Sequence, residues 1–411
     1  MNIIDSAGCV IKNIREIKMA IQHHDKIIIY GTGLEGEKFY CKFSKQYEIV
    51  YCLDKRKREN FHGKRVYSLD EKKTDAKKYY LVVTVGALIY HEVRDELEQY
   101  GYKEFENFVW SGAFEKRIVF LYGNCHMAAL ELYLNTNPFF VKDFFIKRYD
   151  VTKEVPKELG YCDLLITQDI REDNYLGMVS CDELIKKHVT GENIIIPNLY
   201  GYNMFFPQIN YRAPIDIPQR NLQVHLSKEA IDMDSLGERG KEAAHNFTYW
   251  MFGGGDLYID AMYHMGYTVA EIKNDILNKE IWSKKEIQDN FDVTLAKIRE
   301  REKKCDLTVS DYIENNYQKY RMFYNPNHPT GMITRVKGEY ILQYLGLEPE
   351  TELYFDNGLG ADEIPIYGCV KKALGLTFEQ RIYKRNIGYA LTNRPEDLEE
   401  YIANYIAWVW Q

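Results

Sequence analysis

Lys26-Ile27-Ile28-Ile29-Tyr30-Gly31-Thr32-Gly33-Leu34-Glu35-Gly36 is the stretch that decides the fold class. A short β-branched run, a glycine-rich break and a helix-forming segment are the parts of a strand, a tight turn and a helix N-terminus. Outward from it, strands are predicted at 49–53, 80–85 and 106–109, with a helix over about 90–100. Strands alternating with helices imply a parallel sheet. Ahead of the first strand, Val10, Ile11, Ile14, Ile17 and Ile21 stand at helical spacing, which predicts an amphipathic helix over 9–24.

The alternation resumes with predicted strands at 117–122, 163–167 and 193–197 and a helix over about 126–134. Residues 227–319 read as mainly helical, with Ile272, Ile276, Ile281 and Ile287 on apolar faces. Asn393-Arg394-Pro395 has the form of a capped helix start. The predicted class is therefore α/β. A Rossmann-like parallel-sheet domain is expected over 1–115, followed by a larger α/β domain over 116–411 with a long, mainly helical C-terminal part. A length of 411 residues fits that division, since one domain per roughly 150 residues is a common prior.

Composition narrows the function classes. Hydrophobic residues make up 45% and charged residues 28%, as in soluble globular proteins. No run approaches the roughly 20 apolar residues of a membrane helix, and no secretory leader pattern opens the chain, so a cytoplasmic protein without an integral membrane segment is expected. The eight cysteines form no C-x-x-C pair, which argues against a metal site or a disulfide framework. With a net charge of −8 and interleaved signs, nucleic acid is not an expected partner. The 34 tyrosines fit either sugar stacking or a simple compositional bias.

Two places carry chemistry. In the first domain, Gly31, Gly33 and Gly36 between strand and helix, with Asp54 after the next strand, have the order of a dinucleotide-binding turn: glycines admit a pyrophosphate to the helix amides and a carboxylate meets a ribose. A tight turn with no ligand explains the same residues. In the second, Gly123-Asn124-Cys125 breaks a strand and places a cysteine at a helix start. First-turn amides and the helix dipole stabilise a thiolate there, or an acyl oxyanion in its place, with Asn124 as a further donor. A small buried core cysteine is the alternative. His328, set between Pro326 and Pro329, is the candidate partner, whereas His126 on the same helix points elsewhere.

Around these residues the chain resembles known families. The stretch 27–36, Asp54-Lys55, Gly63-Lys64 and 82–86 resemble the small Rossmann-like domain found beside bacterial sugar-modifying enzymes, including sugar acetyltransferases in which it holds a nucleotide-sugar. From about residue 116 onward the chain resembles the WcbI-type polysaccharide-biosynthesis family. The motifs are Gly123-Asn124-Cys125, Thr167-Gln168-Asp169-Ile170-Arg171, the aromatic segment 197–207, Gly255-Asp256, Asn327-His328-Pro329 and Ile364-Pro365-Ile366-Tyr367. The family pattern usually has Gln where this chain has His126.

The resemblance implies transfer of an acetyl group from acetyl-coenzyme A to a hydroxyl of a capsule or other surface-polysaccharide sugar. Gly123, Asn124, Cys125 and His328 are its implied catalytic residues. Gln168, Arg171, His126 and Asn327 are its implied coenzyme A contacts, Arg171 through a phosphate. Gly31, Gly33, Gly36 and Asp54 are expected to face a nucleotide or nucleotide-linked sugar. Asp256 either orients His328 or caps a helix. A small-molecule donor, a glycan or nucleotide-sugar acceptor and a homo-oligomer are the expected partners.

Two chemistries fit. Either Cys125 takes the acetyl group and passes it on with His328 as base, or His328 deprotonates the acceptor for direct attack while the turn holds the oxyanion. The second is preferred, because a thioester is already activated. A glycan O-acyl esterase and a non-catalytic sugar-binding component of an assembly complex are the competing functions. A nicotinamide-dependent oxidoreductase is disfavoured, since Tyr51 and Lys55 fall on a strand and its end.

Overall fold

The computed structural model describes residues 3–4, 10–11, 26–56, 59–72, 78–151, 155–170, 179–188, 191–210, 255–349, 358–384 and 396–409. The chain forms two compact units, the first of residues 1–127 and 134–195, the second of 128–133 and 196–411. The class is mixed α/β, with parallel sheets and many helices.

In the first unit, β1 (Lys26–Tyr30), β2 (Glu48–Leu53), β3 (Asn60–Phe61), β4 (Lys64–Tyr67), β5 (Tyr80–Val83) and β6 (Phe108–Trp110) form one sheet in the order β3-β4-β2-β1-β5-β6. All pairings are parallel except that of β3 with β4. Ile27, Ile28 and Ile29 are fully buried, as expected of a central parallel strand covered on both faces. The helix Leu34–Phe43 buries Phe39 and Phe43, whose rings meet Phe114 edge-on at 5.1 and 5.2 Å. The helix Ala87–Gln99 buries Tyr90, Val93 and Leu97, three positions on one helical face.

A second sheet follows, of β7 (Arg117–Gly123), β8 (Phe144–Asp150), β9 (Leu164–Gln168) and β10 (Glu192–Ile196), in the order β8-β7-β9-β10. β8 and β9 both run parallel to β7. Chain order reverses between β7 and β9, so the crevice at their C-terminal ends is the topological switch point where open α/β sheets bind ligands. One buried cluster contains Ile27, Ile29 and Val82 of the first sheet and Ile118, Phe120 and Tyr122 of the second. The expected boundary at 115/116 thus separates two sheets that share a core, whereas compactness divides the chain near 195.

The described residues of the second unit are mainly helical. Val269–Asn278 and Lys284–Glu302 each begin with a capping box, Thr268 with Glu271 and Ser283 with Glu286, which satisfies amides at each N-terminus. A small hairpin pairs Phe323–Asn325 with His328–Pro329, and the helix Gly331–Tyr344 follows.

Expected strands and helices recur with shifts of one to three residues at most ends. Two expectations change. Of the predicted helix over 9–24 only Val10–Ile11 is described, and it is a strand paired with Ile3–Ile4. β8 was not predicted, because Phe144-Phe145-Ile146-Lys147-Arg148-Tyr149-Asp150 lacks an apolar–polar alternation. The expected helix start at 393–395 lies outside the described residues, and a helix occupies Leu398–Val409.

Candidate functional site

The Gly123-Asn124-Cys125 turn sits at the switch point of the second sheet. Asn124 is the N-cap of the helix Cys125–Thr136, its side chain accepting from the His126 amide at 3.0 Å. Gln168, at the end of β9, accepts from the Asn124 amide through Oε1 at 2.7 Å. That contact turns its Nε2 toward His126 Nδ1, 3.3 Å away. With Nδ1 receiving an amide hydrogen, neutral His126 carries its own hydrogen on Nε2, an assignment set by the hydrogen-bond network. His126 and Gln168 are both buried, so they brace the turn from beneath.

Gly123 is required by this packing. A Cβ there would lie 2.3 Å from Gln168 Oε1 and 2.5 Å from Met127 Cγ, far inside contact distance.

Cys125 is exposed, with the amides of Cys125 and His126 turned toward its sulfur. Surrounding protein atoms nevertheless push its thiol up to about 11 by desolvation; those two amides and Arg148 pull the other way, and Asp150 adds to the rise. Water reaching an exposed side chain relieves part of that desolvation. At this turn desolvation by the surrounding protein and stabilisation by the first-turn amides act on the thiol in opposite directions.

His328 and Asn327 belong to the hairpin of the second unit. Pro326 and Asn327 form its tip, and buried Asn325 organises it: Oδ1 accepts from the Asn327 and His328 amides at 2.9 and 3.0 Å. Its Nδ2 is thereby directed at His328 Nδ1, 3.2 Å away. In the neutral ring the hydrogen is then assigned to Nε2, so in this arrangement His328 offers a donor at that nitrogen. Arg321 holds the hairpin base, donating to the carbonyls of Phe323, Tyr324 and Ile364 at 2.9, 2.7 and 2.6 Å.

Asp256 does not act as the orienting carboxylate. It caps the helix Leu257–His264, accepting from the Ile259 amide at 3.0 Å, and takes the Tyr367 hydroxyl at 2.7 Å. The Gly255-Asp256 and Ile364 to Tyr367 motifs are thus joined inside one core. Arg171 lies outside the described residues.

In the first sheet, Gly31 has φ +108° and a Cβ there would lie 2.8 Å from the Thr84 carbonyl oxygen. At Gly36 a Cβ would fall 2.2 Å from the Gly31 oxygen, whereas Gly33 meets nothing within 4 Å. Asp54 accepts from the Thr32 amide and hydroxyl at 2.7 and 2.6 Å and from the Arg56 amide at 2.8 Å. Internal packing accounts for Gly31, Gly36 and Asp54 without a ligand.

The structure thus brings Gly123, Asn124, Cys125, His126 and Gln168 together in the first unit, and sets Asn327 beside His328 in the second. Sequence reasoning missed Asn325, although an Asn opening an Asn-Pro-Asn-His turn is a recognisable Asx signal.

The model of the polysaccharide biosynthesis enzyme WcbI matches residues 118–228 and 246–350, together just over half of the chain. The chain belongs to the WcbI family. A further model, described as C2185-like, N-terminal, matches residues 23–107. The WcbI fold is also seen in a solved structure of WcbI, a novel polysaccharide biosynthesis enzyme, described as the native protein without a disulfide bond between coenzyme A and a cysteine. That structure is 17% identical, with a TM-score of 0.51 over 71% of this chain and 89% of its own. No curated protein matches the chain. Among the described residues no helix is long and apolar enough to cross a membrane, and no group of three His, Cys, Asp or Glu side chains is placed to hold a metal.

Proposed function

We propose that this WcbI-family enzyme transfers an acetyl group from acetyl-coenzyme A to a sugar hydroxyl in the biosynthesis of a capsule or other surface polysaccharide. The observation that carries the reading is the Gly123-Asn124-Cys125 turn, built at the sheet's switch point with an exposed cysteine and first-turn amides aimed at its sulfur. The similar WcbI structure, described as without a disulfide bond between coenzyme A and a cysteine, supports coenzyme A as the carrier of the donor group.

A thiol held near 11 is protonated at neutral pH, which favours direct transfer over a Cys125 relay. In the proposed reaction the acceptor oxygen attacks the thioester carbonyl carbon. The turn's amides meet the developing oxyanion, the carbon–sulfur bond breaks, and coenzyme A leaves as the thiol with the hydroxyl's proton. His328 is proposed to assist as an Nε2–H donor, and Arg171 to pair with a coenzyme A phosphate.

Calorimetric titration with coenzyme A tests the donor. Micromolar binding, weakened about tenfold or more by Arg171→Ala, is expected. No heat with coenzyme A or acetyl-coenzyme A would transfer the reading to a glycan O-acyl esterase or a binding component.

A further inference from the structure

The first unit contains a cavity of about 730 Å³ along the edge strand β8, within the range of roughly 300–1,000 Å³ typical of small-molecule sites. We infer that this cavity is the acceptor subsite and takes an uncharged or amine-bearing glycosyl group, excluding phosphorylated ones. The inference rests on the acyl-transfer reading for its name of acceptor, but its chemistry is read from the walls.

Three tyrosines, among them Tyr149 and Tyr161, line the cavity together with five carboxylates, one lysine and one arginine. Aromatic rings offer flat apolar faces to the C–H face of a sugar. Carboxylates accept two hydroxyl hydrogens each. The same excess of negative charge repels a phosphate or a nucleotide diphosphate, so neither the donor nor a nucleotide carrier is suited to it.

Some of this charge is already committed. Buried Glu104 accepts from the Tyr90 hydroxyl and from Lys147 Nζ, both at 2.6 Å. Glu106 pairs with Lys103 at 3.2 Å. Glu98 differs: it is exposed, and desolvation by its neighbours raises its pKa, with Glu104 adding to the rise and Arg94 and Lys147 opposing it. A carboxyl so placed gains from hydroxyl or ammonium donors.

The cavity's wall includes the end of β8, the strand that pairs with β7 beside the turn. Asp150 on its wall is the register partner of Gly123, and the Val151 amide donates to the Gly123 carbonyl at 3.3 Å. Arg148 and Asp150 both act electrostatically on the Cys125 thiol. Five of the twelve wall residues, all within 98–106, precede the WcbI match and lie in the C2185-like stretch. The N-terminal segment therefore supplies part of an acceptor site that residues 118–350 alone do not contain.

Saturation-transfer NMR on the full chain tests this, using methyl glycosides of glucose, galactose, mannose and N-acetylglucosamine, with glucosamine and glucose 6-phosphate. At least one neutral glycoside or glucosamine is expected to give a signal ten times or more that of glucose 6-phosphate. Tyr161→Ala and the isosteric Glu98→Gln are each expected to reduce it at least threefold, with the thermal midpoint and coenzyme A binding retained. Silence across the uncharged and amine-bearing sugars, an equal signal from glucose 6-phosphate, or a signal unchanged in both variants overturns the assignment. Failure of the acyl-transfer reading appears separately, as loss of coenzyme A binding with the sugar signals intact.

Discussion

Cys125 shows how two effects at one residue compete. It occupies the first helical position, where amides and dipole favour a thiolate, yet crowding pushes its thiol up to about 11. Under the proposed direct transfer, Cys125→Ala is expected to lower kcat less than about tenfold in an acetyl-transfer assay; a loss of a thousandfold would restore the covalent route. His328 poses the complementary question of which nitrogen works. Asn325 on Nδ1 leaves the hydrogen on Nε2, a position that a glutamine amide can imitate. His328→Gln should retain activity within about tenfold, whereas His328→Ala should lose about a hundredfold or more, the range of a single oxyanion donor. Equal losses in both would show that His328 acts as a base.

At the scale of elements, the Asn325 to His328 hairpin depends on Arg321 more than on its own two strands. Four carbonyls, those of Phe323 and Tyr324 in the hairpin and of Ile364 and Arg381 beyond it, accept from this one guanidinium, and Glu363 stands 3.5 Å away. Arg321→Ala leaves those acceptors and a nearly buried carboxylate uncompensated, a change of about 3–5 kcal/mol for comparable buried pairs. A fall in the thermal midpoint with lost activity is the expected result, and an unchanged midpoint would refute the clamp. Elements differed in how legible they were. The buried parallel strands β1, β5, β7 and β9 announce themselves as apolar runs. The edge strand β8, with Lys147, Arg148 and Asp150 in its run, is held by register with β7, a partner no local pattern reveals. Asn325 carries a legible local signal as the opening of an Asx turn, but which imidazole nitrogen its amide meets is fixed only in the folded hairpin.

Across the molecule, a buried lysine couples global stability to pH. Lys337, on the helix Gly331–Tyr344, donates to the Pro197 carbonyl at 2.9 Å, and burial lowers its pKa from 10.5 to about 8. Below pH 8 the folded and unfolded chains are both protonated and the cost of the buried charge is fully present. Between pH 8 and 10.5 the unfolded chain still holds a proton that the folded chain has lost, so stability rises with pH. The gain is at most about 3 kcal/mol. Urea midpoints should therefore climb across that window relative to Lys337→Met, in which the slope disappears; parallel curves would exclude the linkage.

The sequence by itself determined the α/β class, the alternation of parallel strands with helices and the glycine-led turns, because these follow from short-range apolar periodicity and backbone freedom. It also singled out Gly123, Asn124, Cys125 and His328, since a strand broken by glycine and a histidine between prolines are local signals. Only the tertiary structure decided the protonation of Cys125, the ring nitrogen that His328 presents, the capping role of Asp256 and the acidic cavity beside β8. Cys125 responds to Arg148 and Asp150, Asp256 takes the Tyr367 hydroxyl and the cavity joins residues 98–106 to 148–161, all contacts between groups distant in sequence, while the His328 ring is set by Asn325 three residues away within a folded hairpin.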